Sequence, residues 1–268
     1  MSEQYVLETR NLVKEFKGFV AVNDVNLQIR QGDIHALIGP NGAGKTTVFN
    51  LLTKFLIPTR GQILYRGEDI TPLKSAAIAR KGIVRSFQIS AVFPHMTALE
   101  NIRVALQTAE GSSYSFWKSG NSLHKLNERC MELLESVGLA EFANTTTVEL
   151  AYGRKRALEL ATTLAMEPQL LLLDEPTQGM GSEDVDRVVE LVCKAAQGRT
   201  VLMVEHNLSV VSKLCDRITV LAQGAVLTEG DYQTVSADPR VREVYMGSDG
   251  SGERGSQAAA SENVEAAQ

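Results

Sequence analysis

The sequence predicts an α/β fold with a strand-rich beginning and a helical insertion, and three observations carry that prediction. A glycine-rich turn between residues 39 and 44 joins an apolar strand to a segment of helical spacing. Short, continuously apolar runs recur after Pro168, at residues 170–173, 201–204 and 218–221. Runs without polar alternation suit parallel strands buried on both faces. Between these regions, residues 89–165 place apolar side chains at helical intervals. Strand–helix alternation on both sides of a helical stretch implies an α/β core with an inserted helical subdomain.

Taken in order, residues 5–9 and 25–29 alternate apolar and polar, as in a sheet with one solvated face. The second run closes at the turn Gln31-Gly32-Asp33. The apolar strand Ile34–Ile38 and a helix over 47–52 flank the glycine-rich turn. After the turn Pro58-Thr59-Arg60-Gly61 come a strand at 62–65, a helix around 74–80, and a strand at 83–87 ending at Gln88. Within the insertion, Leu99, Ile102 and Leu106 share one helical face, and Leu126, Cys130, Leu133, Leu134 and Val137 share another. Residues 111–122, rich in Gly and Ser, read as a loop. Helices at 185–196 and 208–215 separate the late strands. Residues 1–247 are expected to form one domain, with the helical subdomain at about 89–165. Residues 248–268, nearly devoid of large apolar side chains, are expected to be disordered.

Composition narrows the function. With 44% hydrophobic and 22% charged residues, the 268-residue chain has a globular composition. A formal net charge of −5 argues against a nucleic-acid partner. Cys130, Cys193 and Cys215 are odd in number and outside any metal spacing, which fits free thiols in a reducing compartment. The opening residues are too polar for a secretory signal. No apolar run approaches the roughly 18–20 residues that span a bilayer, so at a membrane another chain would supply the spanning helices.

The turn itself, Gly39-Pro40-Asn41-Gly42-Ala43-Gly44-Lys45-Thr46, is a complete G-x-x-x-x-G-K-[ST] phosphate-binding loop. Its glycines let backbone N–H groups turn inward around a triphosphate, and the helix behind it adds a positive dipole end. Lys45 is expected to reach the β- and γ-phosphates, Thr46 to coordinate Mg²⁺, and Thr47 to continue the phosphate-facing helix start. The second strong pattern is Leu170-Leu171-Leu172-Leu173-Asp174-Glu175. A buried strand that ends in an acid delivers a carboxylate to a metal–nucleotide site, the expected role of Asp174. Glu175, one residue on, is expected to polarise the attacking water as a general base.

The phosphate-binding loop, Gln88, Leu150-Ala151-Tyr152-Gly153, Asp174-Glu175-Pro176-Thr177 and His206, in that order, resemble the ATP-binding subunit of an ABC transporter. The resemblance spans roughly residues 4–247. It is strongest to the branched-chain amino-acid importer branch, through the Leu-Ala-Tyr-Gly signature, Val204-Glu205-His206-Asn207 and the ending at 238–245. It implies a RecA-like P-loop NTPase core with an N-terminal antiparallel β subdomain and an inserted helical subdomain. Phe16 would stack on adenine, with Phe19 as a rival. Gln88 would contact Mg²⁺ and the attacking water, and His206 would hydrogen-bond the γ-phosphate. Leu150, Ala151, Tyr152 and Gly153 would face the nucleotide held by a second ATP-binding subunit, identical or different.

The resemblance further implies integral-membrane permease subunits, an indirectly coupled substrate-binding protein, and a peripheral position on the cytoplasmic face of the inner membrane. Importers of urea or short amides, the lipopolysaccharide exporter and non-transport ABC ATPases share this chemistry, and no residue here reads a cargo. A GTPase is disfavoured because no Asn-Lys-x-Asp motif occurs. Three positions depart from the common pattern: Ala151 replaces a Ser, Arg154 a Gln and Gly181 an Asp. Arg154 is read either as a cation assisting triphosphate binding or as a solvated side chain.

Overall fold

Two sheets of different construction organise the chain. The computed structural model describes residues 5–86, 92–109 and 120–245. It begins with β1 (Tyr5–Phe16), β2 (Phe19–Val25) and β3 (Gln28–Arg30), then β4 (Ile34–Ile38) leading into α1 (Lys45–Leu52). β5 (Arg60–Tyr65), β6 (Glu68–Asp69), α2 (Ser75–Arg80) and β7 (Ile83–Ser86) follow. The helical portion comprises α3 (Ala98–Ala109), α4 (Gly120–Ser136) and α5 (Tyr152–Leu164). The chain then alternates through β8 (Leu170–Asp174), α6 (Ser182–Ala196), β9 (Thr200–Val204), α7 (Leu208–Leu214) and β10 (Arg217–Ala222), closing with β11 (Ala225–Gly230) and α8 (Tyr232–Ala237).

The first sheet runs β2-β1-β5-β6, with β3 also on β1, and every pairing is antiparallel. The second runs β11-β10-β4-β9-β8-β7. Its five strands from β10 to β7 are parallel, and β11 is an antiparallel edge. The continuous apolar runs have the physical cause expected of them: both faces of this sheet are covered. Leu170, Leu172, Leu202, Val204 and Leu37 join α1 and the first sheet in one core. Leu171, Leu173, Val201, Met203, Ala36 and Ile38 point the other way, into a second core shared with α3, α4 and α5. The period-2 geometry of the strands makes the division. The helical insertion is therefore continuous with the sheet's core, packing Ile102, Cys130, Leu134, Leu158 and Ala161 into it.

Several details differ from the sequence expectation. The run at 25–29 is not one strand, because β2 ends at Val25 and β3 starts at Gln28. Asn26 interrupts it: its side chain accepts from the Asn11 N–H at 2.8 Å and donates to the Asp24 carbonyl at 2.9 Å, replacing ladder bonds. β11 was not anticipated. It is reached through Gln223 and Gly224, both at positive φ (50° and 80°), the two-residue hairpin turn that matches strand twist. The expected loop at 111–122 falls largely on residues outside those described, and α4 has already begun at Gly120. Gln88 and residues 248–268 also lie outside the described residues.

One buried group makes the fold sensitive to acid. His35, on β4, is fully buried, with Nε2 and the Thr219 hydroxyl 2.7 Å apart. Burial pulls its pKa from 6.5 to about 4, against the opposing pull of Glu229. The unfolded chain thus takes up the proton first as pH falls. The contribution of neutral His35 is complete above about pH 6.5 and lost as pH drops towards 4, on the order of 3 kcal/mol. Urea midpoints measured at pH 7.5 and 4.5 should differ more for the parental chain than for His35→Leu; equal differences would refute the assignment.

Candidate nucleotide site

Several of the side chains named from the sequence collect where β4, β8 and β9 end, the carboxyl edge at which open α/β sheets bind ligands. Residues 39–44 pass from β4 to α1 through a narrow gap. A Cβ on Gly39 (φ 149°) would lie 2.2 Å from the Leu221 carbonyl oxygen on β10. One on Gly44 (φ 99°) would lie 2.6 Å from the Ala21 carbonyl oxygen on β2. These two positions exclude any side chain, whereas Gly42 (φ 79°) has no atom within 4 Å of its Cβ direction. Ala43 is buried, its N–H bonded to the Pro40 carbonyl at 3.2 Å; Asn41 and Thr46 are exposed and Thr47 half-buried. Gly44 caps α1 without any side-chain hydrogen bond. The first N–H groups of the helix thus have no side-chain cap, the arrangement that attracts an anion.

Lys45 folds back over the loop, only 7% exposed, with Nζ donating to the Gly39 carbonyl at 2.6 Å and the Pro40 carbonyl at 2.9 Å. Burial lowers its pKa below the usual lysine value, while Glu175 and then Asp174 oppose that shift. The ammonium and both acids therefore feel one another's field.

Asp174 closes β8 and is 2% exposed. Its Oδ2 pairs with Arg85 of β7, whose other nitrogen donates to Asn50 Oδ1 on α1 at 2.7 Å. Sequence reasoning did not single out Arg85; the available signal was a cation inside an expected strand that is otherwise largely apolar. Glu175 leaves the strand in the left-handed region (φ 46°), its N–H held by the Val204 carbonyl at 2.9 Å. The strand conformation ends at this residue. Arg156 of α5 donates to the carbonyls of both Asp174 and Glu175 at 3.2 Å and pairs with Glu159 at 2.7 Å. The helix that begins at Tyr152 is thereby tied to the acidic strand end.

His206 follows β9, with its side chain 56% exposed. Next to it, Glu205 is fully buried and accepts hydrogen bonds from Thr177, His206 and Asn207. Glu205 was read from the sequence only as part of a family phrase, without a role.

The other described residues named from the sequence sit at the β1–β2 turn and at the start of α5. Phe16 and Phe19 pair across the β1–β2 turn and are 41% and 67% exposed. The Lys14 ammonium sits 5.0 Å over the Phe16 ring. The Leu150–Gly153 motif is divided: Leu150 is buried, while Ala151, the cap of α5, and Tyr152 are exposed. The Tyr152 hydroxyl donates to the Gln178 carbonyl at 3.3 Å. Arg154 stacks on Phe142 with its guanidinium carbon 3.9 Å from the ring centre, so its partner within the chain is an aromatic face.

The residues suit a nucleotide with a hard cation. Among the described residues no group of three or more His, Cys, Asp or Glu side chains could hold a metal alone. One buried carboxylate and an exposed threonine hydroxyl match Mg²⁺, which takes few protein ligands and completes its shell from water and phosphate.

Comparison with known proteins agrees with this chemistry. The family model described as ABC transporter matches residues 22–178, and one described as branched-chain amino acid ATP-binding cassette transporter matches residues 225–251. The high-affinity branched-chain amino acid transport ATP-binding protein BraF of Pseudomonas aeruginosa is 40% identical over 249 residues, 90% of this chain and 98% of its own length. LivG of Escherichia coli K12, of the same description, is 39% identical over 251 residues, 91% and 98% of the two chains. The ATP-binding cassette MJ1267, solved in an ADP conformation, superposes with a TM-score of 0.80 at 29% identity, covering 91% of this chain and 99% of its own. The cassette MJ0796, solved as a dimer bound to ADP and Pi, gives 0.72 at 28% identity, covering 84% and 98%.

Proposed function

The chain belongs to the ABC transporter family of ATP-binding subunits, and from that premise we propose that its ATPase powers import of branched-chain amino acids through separate membrane permeases. The observation that carries the cargo is the match of residues 225–251 to the branched-chain amino acid cassette family. Among the described residues no helix is long and apolar enough to cross a membrane. Family membership supports peripheral attachment at the cytoplasmic face through the permeases, with a substrate-binding protein coupled only indirectly.

In this reading residues 39–47 cradle the phosphates and Lys45 exchanges its loop carbonyls for them. Thr46, Asp174 and Gln88 would hold Mg²⁺, which supplies charge neutralisation at the phosphates when bound. Glu175 takes the proton from the attacking water, and His206 donates a hydrogen bond to the γ-phosphate. Phe16 supports the adenine through its exposed face. Tyr152, Ala151 and Gly153 at the start of α5, with Leu150 contributing through its backbone, meet the nucleotide of a second ATP-binding chain. With Ala151 lacking a hydroxyl, the N–H groups at that helix start carry the contact. Closure on ATP and reopening after hydrolysis then drive the permeases by differential affinity for the two states.

Deleting this chain in its host is expected to lower uptake of labelled leucine, isoleucine and valine, with recovery on re-expression. Unchanged uptake of these three together with lost uptake of urea would move the cargo to the amide branch.

A further inference from the structure

Glu205 has no exposed surface, and its two oxygens are fully occupied. Oε1 accepts from the Thr177 N–H at 3.1 Å and from the Thr177 hydroxyl. Oε2 accepts from the N–H groups of His206 at 2.9 Å and Asn207 at 3.0 Å. A carboxylate offers about four acceptor directions, and here four donors meet one buried group. No amide or hydroxyl side chain could satisfy the same set. A glutamine oxygen would serve one pair of donors and set its NH₂ against the other.

The two sides of this clamp belong to different loops. Thr177 lies two residues beyond Glu175 on the loop leaving β8; Glu205, His206 and Asn207 form the loop from β9 to α7. The strands pair in register, Asp174 opposite Val204, and the Glu175 N–H bonds to the Val204 carbonyl. Beyond that point no ladder continues, and Glu205 takes over the link between the two backbones.

We infer that Glu205 is a positioning residue for ATP hydrolysis, fixing the loop that bears Glu175 and the backbone of His206 in one relative placement. The inference rests on Glu175 and His206 acting in hydrolysis. Glu205 itself needs no contact with nucleotide, so its loss acts on the chemical step more than on binding. Displacing a catalytic group by about 1 Å costs on the order of 100-fold in rate.

The test compares steady-state ATP turnover and affinity for a fluorescent ATP analogue in the full-length parental chain, Glu205→Gln, Thr177→Val, Thr177→Ser and Glu175→Gln. Glu205→Gln should lose about 10- to 100-fold in kcat with KM and analogue affinity within about twofold. Thr177→Val removes one of the four donors and should lose severalfold in kcat, and Thr177→Ser should regain most of that loss. A folded Glu205→Gln with parental kcat, or one whose defect lies in KM alone, overturns the inference. If Glu205→Gln melts below the assay temperature, Thr177→Val decides: parental kcat there overturns it. Glu175→Gln separates the two levels. An inert Glu175→Gln beside a fully active Glu205→Gln removes only the positioning role, whereas a fully active Glu175→Gln removes the catalytic reading and the inference with it.

Discussion

Glu175→Gln is expected to turn over ATP at least about 100-fold more slowly than the parental chain while still binding it, the scale associated with loss of a general base. The substitution keeps the shape of the side chain and removes its basicity. The backbone at this position is held independently of the carboxylate: the N–H by the Val204 carbonyl and the carbonyl by Arg156. The left-handed turn that separates Glu175 from Asp174 should therefore persist. Lys45, its loop and Asp174 are untouched, so ATP remains bound and an ATP-dependent dimer should accumulate. Phosphate release and size-exclusion chromatography with ATP and Mg²⁺ present measure both effects. Turnover at the parental rate would show that Glu175 is not the base.

Lys45→Ala should weaken ATP binding by roughly 10- to 100-fold or more, the range for losing charge-assisted hydrogen bonds at a desolvated site. Lys45 is 7% exposed, and its Nζ is already bound to the Gly39 and Pro40 carbonyls. A phosphate arriving at the loop meets an ammonium that has little water to shed. Alanine removes that charge and leaves the two carbonyls facing the same direction, so the loop becomes less favourable for an anion. Titration with a fluorescent ATP analogue reads the loss, and a urea unfolding curve shows whether the fold is retained. Unaltered affinity in a folded variant would overturn the phosphate-binding assignment of residues 39–46.

Most of the local architecture was legible because it depends on neighbours in the chain. The strand–turn–helix around Lys45 follows from apolar residues, glycines and helical spacing that lie next to one another. The parallel strands followed from unbroken apolar runs, since burial on both faces leaves no polar face. Errors arose where side chains replaced ladder bonds, as Asn26 does between β2 and β3, or where a two-residue turn carried few cues, as at Gln223-Gly224 before β11. Leu150 shows a related limit. A residue inside a sequence motif can have its side chain in the core.

Sequence by itself determined the nucleotide chemistry: the phosphate loop, the acid at the end of a buried strand and the order of the motifs along the chain. The first two are local patterns whose geometry is dictated by short-range sterics and hydrogen bonding, and the third is read directly along the chain. Only the tertiary structure decided what those groups lean on. Arg85 meets Asp174 across 89 positions, and Thr177 meets Glu205 across 28. Such partners are chosen by strand order and register, which arise from burying both faces of one sheet and leave no mark in the residues nearby.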